Sequence, residues 1–208
     1  MKKYFLTVIL AVTAVALLAG CGDKSNDKTD SDAKVEKDVN DDGELLTGKH
    51  HVEIDIKDYG TVKVELDADT APITVTNFIN LSKSGFYDGL TFHRIQAGFM
   101  IQGGDPDGNG TGGSDKEIKG EFSENGVENN ISHTRGTISM ARATDMDSAS
   151  SQFFIVQKDS VFLDGSYAGF GHVTEGMEVV DKICEEVPSS DLVDEDMQPV
   201  INEIKVID

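Results

Sequence analysis

The stretch from Phe92 to Asp105 constrains this chain most, because it places a permanent cation, an apolar pair and an amide at short spacing. Side chains alternate between the two faces of an extended strand, so Arg94, Met100 and Gln102 can share one face. The two glycines that follow permit a sharp turn or a close backbone approach. A guanidinium, an apolar side chain and an amide on one face suit a mostly apolar ligand that carries a peptide group.

A simpler interpretation of this stretch assigns its aromatic and aliphatic residues to the core and treats Arg94 as an ordinary surface charge. A single arginine near aromatic residues is common, so the stretch alone favours this interpretation. Phe99, Phe154 and Leu163, taken without further information, are likewise typical of core residues.

Short alternating runs predict a mainly antiparallel β-structure. Apolar residues at every second position flank the turn at Asp58–Gly60, which indicates a β-hairpin. Further strands are predicted at Leu90–Ile95, Phe99–Gln102, Thr137–Ala141 and Gln152–Val156, with a last strand through Val200, Ile204 and Val206.

Two helices are predicted between these strands. Asp69 or Thr70 can cap the first helix, which has Pro72 in its first turn and ends at Gly85. The second helix is predicted from Gly176 to about Glu185, with an apolar stripe on its inner face.

The N-terminal segment is expected to be a signal peptide over residues 1–20. Two lysines precede an uncharged apolar run over residues 5–19, which is shorter than the roughly 20 residues that span a bilayer. The run ends in Leu18-Ala19-Gly20-Cys21, which resembles a bacterial lipobox. Lipidation at Cys21 would anchor the chain to the membrane without spanning it. A plain secretory signal with a chance cysteine is the alternative interpretation.

A polar segment follows the cysteine. Residues 22–48 are rich in Asp, Lys, Ser, Asn and Thr, and such a composition buries too little apolar surface to offset chain entropy. We therefore expect residues 21–48 to form a lipidated cysteine and a disordered acidic tether, and residues 49–208 to form one domain. Without the signal peptide the chain has two cysteines, Cys21 and Cys184. Cys184 is expected to be a small buried residue.

Charge and motif spacing exclude several function classes. The formal net charge of -20 becomes -22 without Lys2 and Lys3, which argues against nucleic acid and anionic surfaces as partners. The glycine-rich loop from Gly103 to about Gly120 lacks the helix and the Lys-Ser/Thr of a phosphate site. His133 and His172 have no carboxylate or Cys partners at metal-ligand spacing, so we assign them no function and expect no metal.

Four segments in register resemble the cyclophilins, the peptidyl-prolyl cis-trans isomerases. The first is the stretch from Phe92 to Asp105, which is similar to the family signature. The others are Gly136-Thr-Ile-Ser-Met-Ala-Arg142, Ser150-Ser-Gln-Phe-Phe-Ile155 and Phe162-Leu-Asp-Gly-Ser-Tyr-Ala-Gly-Phe-Gly171. The resemblance runs from about His50 to the C-terminus, and four motifs are far more specific than one short pattern.

This resemblance implies a closed eight-stranded antiparallel β-barrel capped by two α-helices, and a peptidyl-prolyl cis-trans isomerase that needs no cofactor. It also implies that Arg94 is catalytic, donating to the prolyl nitrogen, and that Gln102 binds a substrate backbone group. The remaining implied substrate-binding residues form the proline pocket and its walls: Phe99, Met100, Ala141, Arg142, Phe154, Phe162, Leu163 and Tyr167.

Three of these positions depart from the best-known eukaryotic pattern. Phe162 stands where those members have Trp, Tyr167 where they have His, and Arg142 where they have Asn. Loss of the indole N–H donor at Phe162 predicts weakened cyclosporin binding. His93 is expected to be a structural hydrogen-bonding residue rather than a proton shuttle.

The expected function is that of an isomerase, lipid-anchored at Cys21 outside the bacterial cytoplasmic membrane, that assists folding of secreted or envelope proteins. Its partners would be Pro-containing unfolded or nascent secreted polypeptides, and a monomer is the default state. An alternative is a surface-tethered binding or chaperone module that uses the same groove with incidental catalysis. A solute-binding lipoprotein is disfavoured, because the domain is short and lacks βαβ alternation.

Overall fold

The structure, a computed structural model, describes residues 44–208. Its eight strands form one antiparallel sheet in the order β3-β4-β6-β5-β7-β2-β1-β8, which curls and carries two helices. The strands are β1 Lys49–Ile56, β2 Gly60–Asp67, β3 Arg94–Gln96, β4 Met100–Gly103, β5 Thr137–Met140, β6 Phe153–Val156, β7 Gly169–Glu175 and β8 Ile201–Val206, and the helices are α1 Pro72–Lys83 and α2 Met177–Glu186.

The predicted hairpin is confirmed in β1 and β2. The two strands pair in unbroken register from Lys49 opposite Asp67 to Ile56 opposite Gly60. Asp58 in the turn has a φ of 65°, a left-handed conformation that Asp tolerates better than most residues. The apolar residues at every second position of both strands are buried, as the alternation predicts.

The predicted closed barrel is wrong, because β3 and β8 do not pair as strands at the two edges of the sheet. The outer edge of β3 is covered instead by Ser190, whose backbone exchanges hydrogen bonds of 2.7 and 3.1 Å with that of Ile95. The chain at the start of β8 contacts the segment before β3, where Thr91 and Val200 form an isolated bridge. Of the predicted strand Leu90–Ile95, only Arg94 and Ile95 belong to a strand, β3.

Helix α1 begins as predicted at the proline, but its predicted caps are wrong. An alanine occupies the capping position, and no side chain at that position bonds the helix, so neither Asp69 nor Thr70 serves. The carboxylate of Glu121 takes this role from a distant loop. It accepts hydrogen bonds from the backbone N–H groups of Ile73 at 3.0 Å and Thr74 at 2.8 Å, and from the Thr74 hydroxyl at 2.7 Å.

Strand alternation divides the apolar residues near β4 into two clusters. Ile95, Ile101 and Ile155 belong to the main core beneath the sheet. Met100 and Phe154, one position away in the same strands, belong to a second and smaller cluster. The sheet therefore has an apolar patch that is separate from the core.

Helix α2 confirms the prediction for Cys184, which is buried within it. Burial raises the pKa of its thiol to about 11. No helix within residues 44–208 has both the length and the apolar content needed to cross a bilayer.

The predicted signal peptide, Cys21 and most of the predicted tether lie outside the described residues. The last residues of that predicted tether contact the domain. The backbone N–H of Leu46 donates to the Thr76 hydroxyl at 2.9 Å, and that of Gly48 donates to the Asp69 carboxylate at 2.7 Å.

Candidate active site

Arg94 and Gln102 lie directly opposite each other on β3 and β4. An Arg94 Nη1–H donates to the Gln102 side-chain oxygen at 3.3 Å, and the Arg94 Nε–H donates to Asp191 Oδ1 at 2.8 Å. The arginine side chain is 33% exposed, so it is partly shielded from water but accessible to a ligand. The antiparallel pairing thus brings together the cation and the amide that the sequence singled out.

The amide of Gln102 is oriented by a second glutamine that the sequence analysis did not identify. Its Nε2 donates to the side-chain oxygen of Gln152 at 2.8 Å, and Gln152 donates in turn to the carbonyls of Gly112 at 2.7 Å and Gly110 at 3.2 Å. Gln152 lies within the second aromatic motif of the sequence. Its role depends on a loop forty residues away, which no local pattern indicates.

A separate apolar cluster lies beside this polar pair. It consists of the buried side chains of Met100, Phe154, Val156 and Leu163, with Phe99, Ala141 and Tyr167 packed against them. Phe154 pairs with Gln102 across β4 and β6, so the apolar and polar parts adjoin. Phe154 and Leu163 are buried, as the simpler interpretation predicts, but they lie in this second cluster with the partly buried Phe99, whereas Phe92 lies in the main core.

Aromatic side chains form the rim of the cluster. Phe162 is 72% exposed, and its ring centroid lies 5.6 Å from that of Phe99. Tyr167 presents its ring edge-on to Phe154 at 6.0 Å. These contacts place Phe99, Phe162 and Tyr167 around the opening of the apolar cluster.

Arg142 is held in place by the loop that carries Tyr167. Its guanidinium lies 4.8 Å from the centre of the Tyr167 ring and 5.1 Å from that of Phe122. It also donates two hydrogen bonds, of 2.8 and 3.1 Å, to the carbonyl of Ser166. Arg142 and Ala141 line a pocket of about 320 Å³ together with Gln102 and Gln152.

The glycine-rich loop forms the other wall of this pocket. Asp105 organises the loop, because its carboxylate accepts the backbone N–H groups of Asp107, Asn109 and Gly110. A Cβ at Gly112 would collide with this carboxylate, so the wall requires glycine there. Asp105 thus occupies three backbone N–H groups of the loop.

His133, to which the sequence assigned no function, supports the apolar cluster from behind. It is fully buried, bonds Asp164 through Nδ1 and Ser139 through Nε2, both at 2.9 Å, and stacks on Phe154 at 6.0 Å. Asp164 belongs to the loop that carries Phe162. His133 therefore links the loop at the rim of the pocket to strands β5 and β6, which carry Ser139 and Phe154.

The prediction that His93 is a structural hydrogen-bonding residue is wrong. Its side chain is buried, and neither ring nitrogen has a hydrogen-bond partner within residues 44–208. Burial lowers its pKa, an effect that Asp105 opposes and Arg94 reinforces. The lowered pKa favours the neutral form of this buried ring, which precedes Arg94 in the chain.

Histidine titration gives a direct test of these environments. Burial lowers the pKa of His93 and of His133, whereas the hydrogen bond to Asp208 raises that of the exposed His51. We expect His93 and His133 to protonate below the ordinary value of 6.5 and His51 above it, as read from ¹H–¹⁵N imidazole shifts against pH.

The shifted histidine pKa values make the free energy of unfolding depend on pH. Below about pH 6.5 the unfolded chain binds more protons at His93 and His133 than the folded chain, so the free energy of unfolding falls on acidification. The contribution of His51 has the opposite sign and is lost as the pH rises through its folded pKa. Titration of His93 at or above 6.5 would contradict the buried neutral ring.

The site combines a fixed guanidinium, an oriented amide and an apolar pocket. Within residues 44–208 no group of three or more His, Cys, Asp or Glu side chains could hold a metal ion. Such a site can bind an apolar ring and donate hydrogen bonds to a peptide group beside it.

Comparisons with known proteins agree with this geometry. The model of the family described as cyclophilin type peptidyl-prolyl cis-trans isomerase/CLD matches residues 51–207. The chain is 43% identical over 135 residues to peptidyl-prolyl cis-trans isomerase A of Dickeya dadantii, covering 61% of this chain and 67% of that protein. It is 46% identical over 123 residues to peptidyl-prolyl cis-trans isomerase B of Bacillus subtilis, covering 59% and 82%.

Solved structures show the same fold. A Cryptosporidium parvum cyclophilin type peptidyl-prolyl cis-trans isomerase, crystallised in the presence of the dipeptide Ala-Pro, superposes with a TM-score of 0.68 at 33% identity. The match covers 76% of this chain and 99% of that one. The chain therefore belongs to the cyclophilin-type peptidyl-prolyl cis-trans isomerases.

Proposed function

We propose that the groove formed by Arg94, Gln102 and the apolar cluster catalyses rotation about X–Pro bonds in polypeptides. The observation that carries this proposal is the position of Arg94, opposite Gln102 and beside the pocket of Met100, Phe154 and Leu163. An X–Pro bond rotates slowly because its C–N bond has partial double-bond character, with a barrier of about 18–20 kcal/mol. No nucleophile or proton transfer is needed to lower this barrier.

The arginine lowers the barrier by favouring the twisted amide. In the twisted state the prolyl nitrogen becomes pyramidal and recovers its lone pair, which can accept a hydrogen bond. A guanidinium N–H of Arg94 donates to that nitrogen and stabilises the twisted state more than the planar one. Arginine suits this role because it stays charged and its donors are rigidly arranged.

The rest of the groove holds the substrate. The apolar cluster encloses the proline ring, with Phe99, Phe162 and Tyr167 at its rim, while Gln102 binds a backbone group. Ala141 and Arg142 line the neighbouring pocket, which accepts the residues before proline. Because the bound ring is held in place while the preceding carbonyl rotates, binding of the substrate helps to lower the rotation barrier.

The folding role has its own test, in refolding of a proteolytically stable protein whose slow phase is prolyl isomerisation. The wild type is expected to accelerate that phase, while Arg94→Ala leaves it at the uncatalysed rate. Equal assistance by both proteins would favour the binding or chaperone module over the isomerase.

The same proposal places the enzyme outside the cytoplasmic membrane, anchored by a lipid on Cys21, where it meets secreted and envelope proteins as they fold. The support is the sequence Leu18-Ala19-Gly20-Cys21 after an uncharged apolar run. One diacylglyceryl group supplies two acyl chains, enough for stable anchoring.

Cys21→Ser is expected to move the protein from the membrane fraction to the soluble fraction and to abolish incorporation of a labelled fatty acid. Cys184→Ser serves as the matched control, since that thiol is buried in helix α2, and it should leave both readouts unchanged. Membrane association and labelling that survive Cys21→Ser would contradict the lipid anchor.

Cyclosporin binding is expected to be weak, because Phe162 lacks the N–H donor that an indole would supply. Phe162 is exposed at the groove rim, so Phe162→Trp fits without disturbing the core. We expect the substitution to lower the inhibition constant about tenfold, which corresponds to one added hydrogen bond. Nanomolar inhibition of the wild type, unchanged by Phe162→Trp, would contradict this account.

A further inference from the structure

The Nε–H of the Arg94 guanidinium bonds Asp191, a residue that belongs neither to the sequence motifs nor to the groove. Asp191 Oδ1 accepts the Arg94 Nε–H at 2.8 Å and a Gln96 side-chain N–H at 3.2 Å. Both donors project from β3, whereas Asp191 lies in the loop before β8. Nearly a hundred residues of chain separate Asp191 from Arg94.

The loop that carries Asp191 is fastened to β3 on both sides of that residue. Ser190 and Ile95 exchange two backbone hydrogen bonds, and the backbone N–H of Val193 donates to the carbonyl of His93 at 2.8 Å. Asp191 therefore lies between two backbone contacts that align the loop with β3. These backbone contacts hold its carboxylate beside Arg94.

The contact has little to contribute to stability. The Asp191 side chain is 81% exposed and that of Arg94 is 33% exposed, and water screens ion pairs as exposed as this one. What the contact fixes is orientation, because guanidinium donors lie in one plane and move together. The Arg94 hydrogen bond also keeps the pKa of Asp191 below its usual value, so the carboxylate is ionised at neutral pH.

The two contacts engage only part of the hydrogen-bond donors of the Arg94 guanidinium. A guanidinium has five N–H groups. Asp191 takes the Nε–H and Gln102 takes one Nη1–H, which fixes the plane from two sides. Among the described residues no hydrogen bond engages Nη2, which can therefore donate to the substrate.

We propose that Asp191 is a positioning residue for the isomerase reaction, acting through its acceptor oxygen on the Arg94 Nε–H to hold the Nη2 donors toward the prolyl nitrogen. This inference rests on the proposed function. Asp191 itself does not touch the substrate in this arrangement. Its contribution is pre-organisation of Arg94, which matters most in the twisted state.

The test compares Asp191→Ala with Asp191→Asn in the full chain, using a short Ala-Pro peptide. Ala removes the acceptor, and we expect kcat to fall on the order of tenfold while KM stays within about twofold. Asn keeps an acceptor oxygen and loses only the charge, so it is expected to restore kcat to within about twofold of the wild type. Asp194→Ala, an exposed acid in the same loop, is the matched control and should leave kcat unchanged.

A second readout does not depend on turnover. The Arg94 Nε–H resonance in a ¹H–¹⁵N spectrum is expected to be protected from exchange in the wild type and in Asp191→Asn, and to lose protection in Asp191→Ala. Unchanged kcat in Asp191→Ala, or an Asn variant as slow as the Ala variant, would overturn the proposal. Protection that persists in Asp191→Ala would overturn the contact itself.

The two proposals fail in distinguishable ways. A folded wild type without isomerase activity would overturn the proposed function and, with it, the catalytic part of this inference, whatever the Nε–H spectrum shows. An active wild type whose Asp191→Ala variant is equally active would overturn the positioning role alone.

Discussion

Replacing Arg94 by alanine is expected to lower kcat/KM for an Ala-Pro peptide by at least about 100-fold, because one pre-organised donor to developing charge typically contributes 10²–10³. The pocket of Met100, Phe154 and Leu163 does not depend on this side chain, so proline-peptide affinity should change by only a few-fold. The free energy of unfolding should change by less than about 1 kcal/mol, since the Arg94–Asp191 pair is exposed.

Two further variants separate charge from geometry at this position. Arg94→Lys keeps the positive charge but loses the planar donors, so we expect most of the activity to be lost. Gln102→Ala removes one of the two contacts that fix the guanidinium and should have a smaller effect than Arg94→Ala. Activity of Arg94→Lys equal to the wild type would show that charge alone suffices, which contradicts the geometric role.

Replacing Glu121 by alanine is expected to lower the free energy of unfolding by about 3 kcal/mol. The side chain is buried, and its carboxylate satisfies the backbone N–H groups of Ile73 and Thr74 at the start of α1. Its removal leaves these buried donors without an acceptor and opens a small cavity beside Thr74. Chemical denaturation, with the slope m compared between variants, measures the change.

The matched control for Glu121→Ala is Asp69→Ala, since Asp69 is the cap that the local sequence predicts. The Asp69 side chain accepts a hydrogen bond from the backbone N–H of Gly48 in an exposed position, so its loss should cost far less than the loss of the buried Glu121 carboxylate. The folded Glu121→Ala protein should retain isomerase activity, because Glu121 does not line the groove. A larger destabilisation from Asp69→Ala than from Glu121→Ala would contradict the assignment of the cap.

The sequence predicts this fold well where its signals are local. The hairpin of β1 and β2 follows from alternation around one turn, and both helices begin close to their predicted starts. Alternation also predicts that Arg94 and Gln102 share a face, since that relation needs only one short turn between β3 and β4. Family resemblance was needed to separate Phe154 from the core, because its hydrophobicity is the same in either cluster.

The features that the sequence did not predict all depend on distant contacts. Glu121 caps α1 from a loop 47 residues beyond Thr74, which displaces the local candidates Asp69 and Thr70. Ser190 pairs with Ile95 at the edge of β3, where the predicted closed barrel would pair β3 with another strand. Gln152 and Asp191 each fix one functional side chain from another part of the chain, and neither has a local pattern that indicates this role.

Isomerase activity at Arg94 is measured without intermediaries by following cis–trans exchange of the Ala-Pro bond in a short Ala-Pro-Phe peptide by NMR. This readout requires no coupled protease and no folding client. Catalytic amounts of the purified full chain are expected to accelerate the exchange, which takes tens of seconds or longer without a catalyst. The Arg94→Ala protein, shown to be folded, is expected to leave the exchange at its uncatalysed rate. A folded wild type that leaves the exchange rate unchanged would contradict the proposed isomerase function.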